Sequence, residues 1–288
     1  MSNKILKTSQ PKLKTGIIAL LFLIFTLSVG ALNAQCKAPN TAFKGGEKVE
    51  YELFFNWKFI WLKAGTAQLT TIDTTFVMNP AYQMDLLAVT NKKLDKIFLM
   101  RDTITSVITK QLEPIYYRKG AEEGKHYSVD EAWFYQKNGS SHVSQKRTRS
   151  NGEIVETSHN DSRCIFDMLS ILAQARSYDP ADFKPGQHIQ FPMATGRKVE
   201  EQTLIYRGME NVDAENGITY RCLVFSLVEY VADKKGKDKE QEVVTFFVTD
   251  DKNHLPVRLD LYLNIGSAKA FLRNVSGNRY PLTSIVTK

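Results

Sequence analysis

Apolar side chains alternate with polar ones over an unusually long stretch, and this alternation constrains the fold of the chain more than any other feature. From residue 49 to residue 61 every odd position is apolar, namely Val49, Tyr51, Leu53, Phe55, Trp57, Phe59 and Trp61. A period of two with one polar face predicts a half-buried antiparallel β-strand. Because a strand usually spans about five or six residues, we expect a bend or a tight hairpin near residues 57–60.

Comparable segments recur along the chain and are separated by turn sequences such as the NG pairs at 151–152 and 216–217. They are rich in β-branched and aromatic residues and include YQMDLLAVT, IFLMRDTITSVIT, TYRCLVFSLVEYV and PVRLDLYLNI. No sequence repeat of fixed period accompanies them, which argues against a propeller or a solenoid. The pattern predicts an all-β fold built as an antiparallel barrel, roll or sandwich. The charged run at 232–242 lies between two such segments and is interpreted as a solvated hairpin tip.

One segment departs from the alternation. Residues 161–180 carry apolar side chains at helical spacing, among them Ile165, Met168, Leu169 and Leu172. Asp161 or Ser162 can cap the start of a helix here, and Asp179–Pro180 can end it. We predict one substantial helix over about 163–177, with its apolar face covering one end of the sheet.

The N-terminus has the features of an export signal. Lysines precede the long apolar run GIIALLFLIFTLSVGAL, which ends in small residues. This order is typical of a secretory signal peptide. We predict a signal peptide over residues 1–34 and a single all-β domain over residues 35–288, whose two halves are joined around the helix. An uncleaved anchor is the alternative, because the run approaches the length that spans a bilayer.

A cleaved signal places the mature chain in the periplasm or in association with the outer envelope, with no transmembrane segment after cleavage. A lipid anchor on Cys36 is disfavoured, because Gln35 precedes it where Gly, Ala or Ser is usual. The predicted signal peptide also contains Lys4, Lys7, Lys12 and Lys14, so the mature chain is less basic than the formal net charge of +7 suggests. This slight charge, without a basic stripe, argues against a nucleic-acid partner.

The three cysteines, Cys36, Cys164 and Cys222, have no metal-binding spacing. In an oxidising compartment two of them can form a disulfide and leave the third free. Which two would pair is not readable from the sequence, and three buried thiols are the alternative.

Catalytic motifs are absent from the sequence. It contains no G-x-S-x-G, H-E-x-x-H, phosphate-binding glycine loop or C-x-x-C, and its histidines are dispersed. We therefore expect no catalytic residues, no metal site and no cofactor. Asp130–Glu131 beside Trp133 has the composition of a glycosidase cleft, but adjacent strand residues point to opposite faces. Asp250–Asp251 with Asn253 could ligate calcium, although a plain hairpin turn is favoured.

Aromatic residues give the remaining candidate sites. Exposed Trp and Tyr rings stack on carbohydrates, whereas an apolar groove suits acyl chains. The residues that we predict to contact a ligand are Trp61, Trp57, Trp133, Tyr135 and Tyr116. The favoured function is a non-catalytic binding or assembly module for an envelope or extracellular glycan. A carrier of an apolar lipid or acyl ligand is the alternative, a polysaccharide hydrolase is less favoured, and each aromatic residue can instead belong to the core.

Several motifs, in this order, resemble a known family. They are FKGGEKVEYELFFNW, KAGTAQL, FLMRDTITSVI, LEPIYYRKGAEEGKHY, CIFDMLSILAQAR and VTDDKNHLPVRLDLYLNIGSAKAFL. Together they resemble the domain of unknown function 3108 family, which occurs in envelope proteins of Gram-negative bacteria. The resemblance covers about residues 43–273. It implies an antiparallel sheet curled into a roll or open barrel, and it carries over no catalytic residues.

Overall fold

The alternating segments of the sequence form the strands of one antiparallel sheet. The structure, a computed structural model, describes residues 36–57, 60–92, 95, 99–124, 126–232, 238–263 and 266–286. The predicted signal peptide and its cleavage site lie outside these residues. Within them fourteen strands, β1 to β14, occur in the order Glu47–Trp57, Ile60–Phe76, Asn79–Thr90, Met100–Thr109, Pro114–Glu123, His126–Lys137, Ser140–Arg149, Ile154–Asp161, His188–Ala194, Val199–Asp213, Thr219–Ala232, Asp238–Thr249, Pro256–Tyr262 and Ser267–Ser276.

The sheet is built from two meanders that meet at the first and last strands. Strands β1–β8 are neighbours in chain order, as are β9–β14, and β14 pairs with β1. The edge strands β8 and β9 approach each other through the β9–β10 turn. There Thr157 Oγ1 donates to the carbonyl of Arg197 at 2.8 Å, and the Gly196 N–H donates to Gln145 Oε1 at 2.9 Å. The sheet is therefore a nearly closed barrel, and the predicted fold class is confirmed.

The apolar face of β1 lies in the barrel core. Val49 is fully buried and Tyr51 nearly so, whereas Leu53 and Phe55 are half-buried. The backbone of Trp57 pairs with that of Ile60, so β1 and β2 form the tight hairpin that was one of the two expectations for residues 57–60. The alternation therefore predicted the strand, and burial decreases toward the hairpin. The charged run at 232–242 likewise joins the hairpin strands β11 and β12, although residues 233–237 lie outside the described chain.

The connection between the edge strands contains the helix, α1, at Met168–Ala175. The helix begins later than the predicted 163, and its N-cap is Asp167 rather than Asp161 or Ser162. The Asp167 carboxylate accepts hydrogen bonds from the N–H groups of Leu169 and Ser170, both at 2.9 Å. Such a cap satisfies backbone donors that have no partner within the helix.

The residues just before α1 run along an edge strand instead of coiling. The Phe166 N–H donates to the carbonyl of Pro192 at 3.0 Å, and the Ala194 N–H donates to the carbonyl of Phe166 at 2.8 Å. These bonds cover part of the edge of β9, where unpaired backbone groups would otherwise remain. The tertiary pairing therefore shortens the helix. Asp179 follows α1 and caps a 3-10 helix at Pro180–Asp182.

The barrel has two different ends. At one end every odd-numbered strand ends and a connection leads into the next strand. We call this the hairpin end. At the opposite end, which we call the helix end, α1 meets the chain termini of the barrel. There the Thr41 N–H donates to Ser177 Oγ at 3.3 Å, and Arg279 Nη1 donates to the carbonyl of Asn40 at 2.7 Å.

A disulfide adds a covalent link at the helix end. Cys36 and Cys164 are bonded, which joins the start of the described chain to the segment before α1. Cys222 is a free thiol in the core, and burial raises its pKa to about 12. The structure therefore resolves the pairing that the sequence left open.

Candidate functional site

The outer face of β6 presents two exposed aromatic residues. Along this strand Ala132 and Phe134 are buried in the core, whereas Trp133 and Tyr135 are 39% and 48% exposed. The cause is the period-two geometry of a strand, which sends successive side chains to opposite faces of the sheet. Two of the predicted ligand contacts thus lie next to each other on the face that points away from the core.

Strand register brings two further rings to this surface. Tyr116 on β5 is opposite Trp133, with ring centroids 5.7 Å apart, and His142 on β7 is opposite Tyr135. The Tyr135 and His142 rings are stacked, with centroids 5.2 Å apart and an interplanar angle of 11°. We call Tyr116, Trp133, Tyr135 and His142 the aromatic platform.

Polar groups lie beside the aromatic platform. Tyr116 Oη donates to Glu131 Oε1 at 2.8 Å. Partial burial and the Glu131 carboxylate raise the pKa of Tyr116 to about 12, so its phenol stays protonated near neutral pH. Ser144, which is opposite Trp133, has its hydroxyl 3.4 Å from that of Ser158. The surface therefore combines ring faces with a carboxylate and hydroxyl groups.

The remaining predicted contacts are not part of this surface. Trp61 is 42% exposed, but it lies on β2, and three strands separate β2 from β6 in the sheet. The Lys269 ammonium group lies 4.9 Å from the centre of its indole ring. The side chain of Trp57 lies outside the described part of the chain. The four predicted residues whose side chains the structure describes therefore divide between two regions of the barrel.

The Asp130–Glu131 pair is split between the two faces of β6. Asp130 is buried and forms a two-pronged ion pair with Arg147, whose Nη2 lies 2.5 Å from Oδ2, and this hydrogen bonding raises the pKa of Arg147. Glu131 lies on the outer face and accepts the Tyr116 hydrogen bond. These two carboxyl groups consequently do not face each other across a cleft, which a pair of glycosidase carboxylates must do.

The Asp250–Asp251 turn holds the C-terminal segment. Asp251 accepts hydrogen bonds from Thr249 Oγ1 and from the Asn253 N–H, and its other carboxylate oxygen accepts from Ser284 Oγ at 2.7 Å. Asn253 is buried and bonds to the backbone of Tyr280. These oxygens thus have protein partners in a turn, as favoured from the sequence. Across the described residues, no group of three or more His, Cys, Asp or Glu side chains is arranged to hold a metal ion.

Sequence reasoning missed a cleft at the hairpin end. It has a volume of about 480 Å³ and is lined by His126, Tyr127, Ser128, Arg149, Ser150 and Asn151. The Ser150 N–H donates to the carbonyl of Tyr127 at 3.0 Å and so joins the β7–β8 connection to the start of β6. The NG pair at 151–152 is recognisable in the sequence as a turn, and this turn forms one wall of the cleft. Only the strand pairing shows that His126 lies beside it.

The fold and the aromatic platform define the protein as a barrel-like all-β protein with a solvent-exposed aromatic surface on the barrel wall. The family model described as "Protein of unknown function (DUF3108)" matches residues 50–273, and the chain belongs to this family. The resemblance that the ordered motifs indicated is thereby confirmed. Neither the family nor the fold indicates a catalytic activity.

A solved structure has a similar fold. It is the "Crystal Structure of Beta-barrel-like Protein of Domain of Unknown Function DUF1849 from Brucella abortus". The similarity covers 82% of this chain and 99% of that chain, with a TM-score of 0.51 and 10% sequence identity. At this identity the match supports the barrel fold alone. No curated protein matches the chain. None of the helices in the described residues is long and apolar enough to cross a membrane.

Proposed function

We propose that this protein is a non-catalytic binding protein of the cell envelope and that its aromatic platform binds a glycan. The observation that carries the proposal is the exposure of Trp133 and Tyr135 at alternate positions of one strand, with Tyr116 and His142 packed beside them. Alternate strand residues are about 7 Å apart, so the two rings offer consecutive stacking surfaces.

The platform is suited to sugars in both its apolar and its polar parts. Aromatic ring faces pack against the C–H groups of a pyranose, while hydroxyls and carboxylates satisfy its polar edge. The rings are also held in place before binding, because Tyr135 stacks on His142 and Tyr116 bonds to Glu131. Such preorganisation lowers the entropic cost of association.

An envelope location is part of the same proposal. The N-terminal sequence is typical of a signal peptide, and the Cys36–Cys164 disulfide is typical of proteins in oxidising compartments. The family resemblance to envelope proteins of Gram-negative bacteria supports the same location.

Affinity electrophoresis of the mature chain in gels that contain soluble peptidoglycan fragments or bacterial polysaccharides tests the proposal. We expect retardation by at least one polymer, and the double variant Trp133→Ala/Tyr135→Ala is expected to weaken binding about thirtyfold, since each of the two lost stacking contacts costs roughly 1 kcal/mol. Trp61→Ala is the matched control, because Trp61 is similarly exposed on a distant strand. Equal retardation of the double variant and the wild type would refute the platform as the glycan site.

The alternative, an apolar ligand, has support from a different part of the barrel. Large apolar side chains are exposed at the hairpin end, where the aromatic platform does not reach.

A further inference from the structure

The hairpin end of the barrel exposes several large apolar side chains. Ile60, Trp61 and Leu62 lie at the start of β2, Tyr262 ends β13 and Leu263 follows it; each is at least 37% exposed. We call these five residues the apolar rim. Single exposed apolar residues are normal on a protein surface, but several gathered at one end of a barrel indicate an interaction surface.

Strand register shows that the two parts of the rim lie at the same level of the barrel, with the polar residues Asn56 and Ser267 between them. Trp61 is opposite Asn56, Asn56 is opposite Ser267, and Ser267 is opposite Tyr262. One row of residues therefore runs across β2, β1, β14 and β13. The next hairpin around the barrel is β11–β12. There Tyr230 and Val231 on β11 are also exposed close to the tip of the hairpin. Exposed apolar side chains thus occur on three hairpins that follow one another around the same end.

Positively charged side chains lie at the same end of the barrel as the apolar rim. Lys63, Lys92 and Lys239 are exposed at the hairpin end, and the Lys269 ammonium group lies over the Trp61 ring. The nearby Glu52 carboxylate is engaged with Lys63 and Arg273.

We propose that the apolar rim docks onto the surface of an anionic lipid bilayer. Trp and Tyr side chains favour the headgroup region, and Ile and Leu side chains favour the acyl region below it. Lysines at the same level are attracted to anionic headgroups, while their stems pack against the apolar boundary. A second copy of this chain fits the surface less well, because the exposed lysines Lys92 and Lys239 of the two copies would repel each other.

Docking in this way leaves the aromatic platform accessible. Trp133 and Tyr135 lie on the side wall of the barrel, well along β6 from its start at the hairpin end. A barrel that rests on a bilayer through the apolar rim therefore still presents these rings to the aqueous phase. The docking proposal does not depend on the glycan proposal, since the two surfaces share no residues.

Vesicle flotation of the mature chain tests the docking proposal. One set of vesicles contains only phosphatidylcholine, and the other contains equal amounts of phosphatidylcholine and phosphatidylglycerol. We expect flotation with the anionic vesicles, little with the neutral ones, and a decrease as salt screens the lysines. The double variant Ile60→Ser/Leu62→Ser should lower the bound fraction about tenfold, because each lost aliphatic contact weakens insertion.

Met78→Ser is the matched control. Met78 is a large apolar residue that is 93% exposed, but it lies in the β2–β3 turn at the helix end. This variant is expected to float like the wild type. Thermal melting monitored by circular dichroism verifies that each variant is folded. Absence of flotation with anionic vesicles, or equal flotation of the double variant and the wild type, would overturn the proposal.

Tryptophan fluorescence gives an independent readout of orientation. Lipids brominated on the acyl chain quench only those indoles that approach the bilayer. We expect strong quenching in the wild type and in Trp133→Phe, and weaker quenching in Trp61→Phe. Quenching that disappears in Trp133→Phe but persists in Trp61→Phe would mean that another face binds the membrane. A change confined to self-association in sedimentation velocity, without vesicle binding, would make the rim a protein contact and refute docking.

Discussion

At the scale of single residues, a buried ion pair links α1 to the start of the sheet. The guanidinium of Arg176 contacts both carboxylate oxygens of Glu47 at 2.6 and 2.9 Å, and both side chains are only 1% exposed. Arg176 also donates to the carbonyl of Asn253 and lies over the Phe43 ring. Two desolvated charges are tolerated here because each satisfies the other.

We expect Arg176→Met to destabilise the protein by about 3–5 kcal/mol, because the Glu47 carboxylate would remain buried without its partner. Urea unfolding followed by circular dichroism measures the loss. The double variant Glu47→Leu/Arg176→Met should recover much of it, since no unpaired charge remains. Lys48→Met, which removes an exposed ion pair with Glu50, is the control with a small expected effect. A similarly small effect of Arg176→Met would contradict the prediction.

The aromatic platform shows how a residue-scale property depends on its neighbours. Trp133 and Tyr135 lie on the same face of β6 because a strand alternates, and this follows from local sequence alone. The structure decides that this face is the exposed one. Their pairing with Tyr116 and His142 depends instead on the registers of β5 and β7. The sequence did not identify His142 as a site residue, because a lone histidine in a strand is usually an ordinary surface residue.

At the scale of elements, the helix α1 is defined by its cap. Asp167 is fully buried, accepts two backbone hydrogen bonds and also accepts one from Ser106 Oγ at 3.0 Å. Burial is the main cause that raises the pKa of the Asp167 carboxyl above its ordinary value of 3.8. The folded chain therefore holds this proton more tightly than the unfolded chain does.

This raised pKa predicts a pH effect with a defined sign. The stabilisation from the protonated Asp167 is fully present below the unfolded pKa of about 3.8 and is lost as pH rises through the raised folded pKa. Asp167→Asn keeps a good N-cap but does not titrate. We therefore expect the stability of Asp167→Asn relative to the wild type to increase with pH over this interval.

Urea unfolding at a series of pH values measures this effect. Asp167→Ala provides the comparison, because loss of the cap should cost about 1 kcal/mol. If the free energies of unfolding of Asp167→Asn and the wild type ran parallel across the acid range, the raised pKa would be wrong.

At the scale of the whole molecule, the Cys36–Cys164 disulfide joins positions that are 128 residues apart in sequence. Closing so long a loop restricts the unfolded chain, so Cys36→Ser/Cys164→Ser is expected to lose about 2–5 kcal/mol of stability. Urea unfolding of the variant and the oxidised wild type measures the difference.

Thiol counting provides a second readout of the same disulfide. The oxidised wild type should show no reactive thiol when folded, because Cys222 is buried, and one thiol in denaturant. Three thiols in denaturant without a reductant would show that the disulfide is absent.

The strands and the existence of one helix follow from the sequence by itself, because side-chain periodicity and turn chemistry act between residues that are close along the chain. At residues 57–60 the sequence left a bend and a hairpin open, and the pairing of Trp57 with Ile60 decided for the hairpin. The family follows from the sequence as well, through the order of its motifs.

Only the tertiary structure decided where α1 begins, since Phe166 pairs with β9 and Asp167 then caps the helix. It likewise decided which cysteines pair, which aromatic residues share the platform, and which hairpins expose the apolar rim. Each of these depends on contacts between segments far apart in sequence. Their pairing is determined by how the whole sheet closes, which no local pattern encodes.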